Sequence, residues 1–218
     1  SLQSTDFVAD GVIETIETSS LLKMLKDVKF NKEFVLSLKE HPILLFSLGM
    51  NAKEYYKMIE KILDGNAQTE MKEGMAEANK MLEIDIEKDI IDNIEGNLNF
   101  GIYDGASINQ MNYNAVMTLN FKDGKKASEV LEKLVKKIPA EKAANLKKDK
   151  VGEVEAYVYS EMMFTVYFAI VKNCLVVSSS KVYFEKAVTG TVKDGFTSKI
   201  TDKLLVSYLS NDVNSFYI

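Results

Sequence analysis

Five features of this chain have residue types and spacing that could do chemistry. Ser178-Ser179-Ser180-Lys181 matches the S-x-x-K of serine acyl-enzymes. It stands where a strand hands over to a helix, a place that would aid a nucleophile. Ser20-Leu21-Leu22-Lys23 matches the same pattern, and neither S-D-N nor K-T-G follows. The spacing is therefore read as a helix cap. Gly190-Thr191-Val192-Lys193-Asp194-Gly195-Phe196 has the glycine spacing of a phosphate-binding loop, with Phe196 where the lysine must stand. Without that lysine nothing reaches the outer phosphates. His41 is the one histidine, so no imidazole cluster can hold a metal, and it is read as a surface residue beside a turn. Asp85, Asp89 and Asp92 share one face if 85–96 is an α-helix. A cation wants more oxygens, drawn from a folded loop, so they are read as a solvated acidic face. Cys174 lies in the apolar run Asn173-Cys174-Leu175-Val176-Val177 and is read as a buried, inert thiol.

The composition narrows the chemistry further. All 27 basic residues are lysine, so no guanidinium fork exists to clamp a phosphate or carboxylate. One cysteine allows no internal disulfide. Net charge is −5, which gives no general attraction to nucleic acid. Residues 122–150 depart from this, with ten lysines against five acids. That stretch has interleaved acids and, past Phe121, no aromatic before Tyr157 on which a base could stack, so a nucleic-acid partner is not expected. No cofactor, metal or catalytic residue is assigned. No run reaches the ~18 apolar residues of a membrane span.

The elements that must position these residues are plainer. Ile43–Met50 reads as a strand with Leu44, Phe46, Leu48 and Met50 on one face, and it runs into a helix over 52–63 capped by Asn51. Asn114–Phe121 repeats that strand, with Met117, Leu119 and Phe121 placed likewise, and runs into a helix over 125–138 behind Asp123. Ala127, Val130, Leu131, Leu134, Val135 and Ile138 form one apolar stripe on that helix. The internal strand–helix repeat thus covers 42–63 and 114–138. Between the copies, 66–95 reads as a helical insertion, with Met71, Met75, Ala78 and Leu82 on one stripe and Asp85 capping a second helix that ends at Gly96. A strand follows over 97–103.

The back half reads as a meander of strands over 154–160, 164–171 and 174–179, with Lys172-Asn173 as a hairpin turn. A helix follows from Ser179 or Ser180 to Val188. Earlier, 11–18 reads as a strand, 21–26 and 31–39 as helices. Later, 199–209 reads as a helix and 213–218 as the start of a further strand, which would complete a sheet edge. Tyr157, Tyr159, Phe164, Tyr167, Phe168, Tyr183 and Phe184 cluster in the meander. Alternation sends half of them to a core and leaves the others as an aromatic surface for a partner.

These readings add up to a single α+β domain over 1–218: an antiparallel sheet of five or more strands with helices packed on one face and a helical insertion. Phe7–Ile13 through Leu22, Ile91–Ile102 and Val166–Ser180 with Ala187–Gly190 together resemble uncharacterised exported bacterial proteins, often lipoproteins, built from repeated strand–helix halves. The resemblance implies an extracytoplasmic domain of the cell envelope, tied to the membrane only through a lipid-modified cysteine upstream; a cytoplasmic location is the alternative. The leading expectation is a non-enzymatic module that binds a protein or surface component. The alternatives are a hydrolase-type enzyme with a cleft near the insertion, using acids or Ser178, and a carrier of an apolar ligand.

Overall fold

The computed structural model describes residues 42–103, 114–162 and 164–190, with the backbone of 215–217. The readings for His41, for residues 1–40, for the 190–196 loop beyond Gly190 and for 199–209 lie outside the described residues. What is described is an α+β fold built on one antiparallel sheet. Its strands are β1 (Leu44–Gly49), β2 (Ile94–Tyr103), β3 (Asn114–Phe121), β4 (Leu146–Val151), β5 (Val154–Glu161), β6 (Phe164–Val171), β7 (Cys174–Ser178) and the three-residue β8 (Ser215–Tyr217). Their spatial order is β4-β5-β6-β7-β3-β2-β1-β8. β1 and β3 flank β2 and run in the same direction, each passing into a helix at the same end of the sheet.

The helices are α1 (Ala52–Ile62), α2 (Gly65–Leu82), α3 (Gly124–Lys136), the single turn α4 (Ala140–Ala143) and α5 (Lys181–Thr189). The caps are those the residue types require. Asn51 Oδ1 accepts from Glu54 N at 3.2 Å, and Asp123 Oδ1 accepts from Lys126 N at 3.0 Å. α3 buries Ala127 and Val130 from the expected stripe. Gly124 is needed at its start for space. A Cβ there would stand 1.9 Å from Lys172 O in the β6–β7 turn. That turn is anchored in return, with Asn173 Oδ1 accepting from Gly124 N at 3.2 Å. The left-handed residue of the turn is Lys172 (φ 57°) rather than Asn173, whose side chain is thereby free to hold α3.

Residues 85–96 depart from the expected α-helix. Ile86–Ile91 is one π-helical stretch, and Ile94 already belongs to β2. Gly96 is no helix end. It sits at φ 104° where the β2–β3 register shifts between Ile94 and Leu98, a bulge that only glycine enters without strain. Its carbonyl accepts from Met50 N at 2.7 Å.

The two faces of the sheet differ in a way that alternation alone does not reveal. α1, the π-helical turn and α3 form a layer on the face that carries Leu44, Phe46, Leu48, Phe100, Met117, Leu119, Phe168 and Ile170. α5 packs on the opposite face. There Phe184, with no exposure at all, meets Leu45, Tyr103, Val116, Val151, Ala156, Ala169 and Val176. The opposite face is the better buried of the two, although it carries Ser47, Asn97, Asn99, Thr118, Asn120 and Ser178. Three of these polar groups satisfy one another across adjacent strands. Ser47 Oγ donates to Asn99 Oδ1, and Asn99 Nδ2 donates to Thr118 Oγ1 at 3.1 Å. A buried polar group tolerates its loss of water only with such partners.

Candidate functional site

On the helix side, the strand registers align one continuous row of side chains. Phe46 pairs with Phe100, Phe100 with Met117, Met117 with Val177, Val177 with Phe168, Phe168 with Tyr157 and Tyr157 with Lys148. The row crosses seven strands and holds four aromatics. Phe100, Met117, Val177, Phe168 and Tyr157 are only half-buried, and Phe46 is 37% exposed. Phe164, on the same face at the start of β6, is 52% exposed, and Met162 in the adjoining turn is fully exposed. On the described strands of this face and the β5–β6 turn, Phe46, Phe164 and Met162 are the large apolar side chains most open to solvent. The meander aromatics divide by strand alternation. Tyr157 and Phe168 stack at 5.4 Å and Tyr159 meets Phe164 at 6.0 Å on the open side, while Tyr167 and Tyr183 meet Phe184 and Tyr103 in the core.

At its β4 end the row runs into a pocket of about 220 Å³ under α3, lined by Ser128, Leu131, Glu132, Lys148, Glu155, Tyr157 and their neighbours. Lys148 Nζ stands over the Tyr157 ring, 5.1 Å from its centroid. Tyr157 is the main cause of the raised pKa of that ammonium, with Glu132 and Glu155 adding to it. Ser128 Oγ is turned away from any such chemistry, donating to Gly124 O at 2.9 Å.

The other residues singled out by the sequence fall elsewhere. Ser178 is buried, and its hydroxyl is closed in a local turn: it donates to Ser180 O at 3.0 Å and accepts from Ser180 N at 3.1 Å. Lys181 points to Asp149 at 3.2 Å, so the serine has no lysine base. Ser180 stands at the α5 N-cap position without a side-chain bond, and Ser179 Oγ instead accepts from Ala115 N at 2.9 Å. Burial pushes the Cys174 thiol up to about 11, which keeps it protonated at neutral pH.

The three aspartates are split among three lysines. Asp85 pairs with Lys88 at 3.0 Å, Asp89 with Lys126 at 3.1 Å and Asp92 with Lys53 at 3.0 Å. Among the described residues no group of His, Cys, Asp and Glu is placed to hold a metal ion. Contacts with the same segment engage four lysines of the lysine-rich stretch, Lys126 among them. Lys122 donates to Asp92 O at 2.6 Å, Lys133 to Glu83 O at 3.3 Å, and Lys137 pairs with the Glu83 carboxylate. Lys126 and Lys133 of α3, with Lys122 and Lys137 at its two ends, thus hold the acidic 83–92 segment, while Lys125 and Lys136 stay exposed.

Among the described residues no helix is long and apolar enough to cross a membrane. Compared with protein-family models, with curated proteins and with solved structures, the chain finds no match.

Proposed function

We propose that this chain is a non-enzymatic module of the bacterial cell envelope that binds a protein or surface component through the exposed apolar side chains on the helix side of its sheet. The observation that carries the reading is the exposure of Phe46, Phe164 and Met162 on the face that carries the partly buried row from Phe46 to Tyr157. Large apolar side chains left open on one face of a sheet are a common mark of an interaction surface. The sequence resemblance supplies the envelope location and the upstream lipid anchor.

The structure favours this reading over its alternatives. A hydrolase built on Ser178 would need that hydroxyl open to a substrate, and it is sealed. A carrier of an apolar ligand asks for an enclosed apolar cavity of several hundred cubic ångströms. The described pocket under α3 is smaller than that, about 220 Å³, and three charged side chains stand in its lining, so it is not that cavity. Engagement of Lys122, Lys126 and Lys137 with the 83–92 segment leaves fewer cations open to a nucleic-acid partner.

Co-sedimentation of the full chain with isolated bacterial envelopes tests the reading. Phe46→Ser with Phe164→Ser should remove most of the binding while leaving the thermal unfolding transition in place. Equal binding by wild type and variant, or binding by neither, would overturn it.

A further inference from the structure

The pocket under α3 has a lining with a recognisable preference. It is lined by Tyr157 and Ile170 from the sheet and Leu131 from α3, and its polar groups include two carboxylates, Glu132 and Glu155, against one ammonium. An aromatic face with flanking carboxylates is the chemistry that holds an organic cation. The protein already demonstrates it, because the Lys148 ammonium rests over the Tyr157 ring at 5.1 Å. Lys148 is exposed and has a four-carbon flexible stem, so it can swing into solvent without disturbing the sheet. Phe168, stacked on Tyr157 at 5.4 Å, continues the apolar surface beyond the ring.

We propose that this pocket binds a small organic cation, an alkylammonium group seated over Tyr157 between Glu132 and Glu155 with its chain directed toward Phe168, and that Lys148 is the displaceable occupant of the same place. The volume limits the ligand to a few heavy atoms, since drug-sized pockets begin at about 300 Å³. The site serves this role whether or not the exposed apolar side chains carry a partner.

Titration of the full chain with n-butylammonium and n-butyltrimethylammonium, followed by the ring resonances of Tyr157, tests the proposal. Saturable shifts are expected for both cations and none for butyrate. Lys148→Met, which keeps most of the stem and removes the charge, should tighten binding about threefold to fivefold by removing the competing ammonium. Glu132→Gln with Glu155→Gln should weaken it by at least as much. All three side chains are exposed, so the variants keep the fold, and the unfolding transition confirms this. Two results would overturn the proposal: no saturable shift with either cation in wild type and Lys148→Met, or binding of butyrate that disappears in Lys148→Met.

Discussion

Lys126 of α3 holds the Asp89 carboxylate at 3.1 Å and, with the same ammonium, donates to Lys88 O at 2.9 Å. Asp89 also accepts from Asp85 N at 2.8 Å, so one carboxylate ties the π-helical turn to itself and to α3. The Asp85 amide first, and Lys126 second, hold the Asp89 carboxyl below its ordinary value of 3.8. A carboxyl depressed by folding stabilises the fold above its unfolded pKa, and that stability is lost as pH falls through the folded value. Asp89→Asn should therefore cost about 1 kcal/mol at pH 7, a partly exposed pair being worth no more. The gap in melting temperature between wild type and variant should begin to shrink as pH falls below 3.8, and should narrow in 1 M salt. Thermal unfolding from pH 7 to pH 3 measures this; a gap that stays unchanged at low pH would contradict it.

The buried polar row gives two substitutions of opposite outcome. Thr118→Val removes the acceptor for Asn99 Nδ2 and strands a buried donor, at a cost of about 1–3 kcal/mol. Asn120 is also buried, and its Oδ1 has no hydrogen-bond partner. Asn120→Leu should be neutral or stabilising, because it removes an unmet polar group while keeping the same branched heavy-atom shape. Urea unfolding of the two variants checks the pair of signs.

Gly124→Ala should be among the most damaging single changes in the chain. The added Cβ meets the Lys172 carbonyl at 1.9 Å, and backbone cannot yield as a side chain would. The cost is about 3 kcal/mol or more, at or above the upper end for overpacking. Exposed Gly74 in α2, where a Cβ meets nothing within 4 Å, is the control. There Ala should stabilise by about 1 kcal/mol through helix propensity.

Cys174, with its thiol pushed up to about 11, should resist iodoacetamide at pH 8 in the native protein and react at the ordinary rate in denaturant. Mass spectrometry of the timed reaction reads this. Rapid native labelling would show the thiol to be more open than its place on β7 implies.

Local signals carried much of this architecture into the sequence. The apolar run Phe164–Val171 is β6 to the residue, and the cap-and-stripe pattern behind Asp123 is α3. Val213–Ile218 read as an edge strand, and 215–217 pair with β1. β4 was not legible, because Leu146-Lys147-Lys148-Asp149-Lys150-Val151 is charged in the way an exposed edge strand must be to avoid pairing with another chain. The pocket was hidden for the same reason, since only the β4–β5 register sets Lys148 opposite Tyr157. The one available signal was Gly152-Glu153 as a two-residue turn, which pairs those positions by counting outward. The identity of the better buried face was hidden as well. Side-chain alternation finds two faces, but Ser47, Asn99 and Thr118 become buriable only through bonds made across three strands distant in sequence.

Site-specific photo-crosslinking tests the central claim most directly. A photoreactive phenylalanine in place of Phe164 should give a discrete adduct when the full chain is expressed in bacteria and the envelope fraction is irradiated, and Phe46→Ser should weaken it. The same group in place of exposed Lys136 on α3 should give none. Adducts equally strong at both positions, or at neither, would contradict the account.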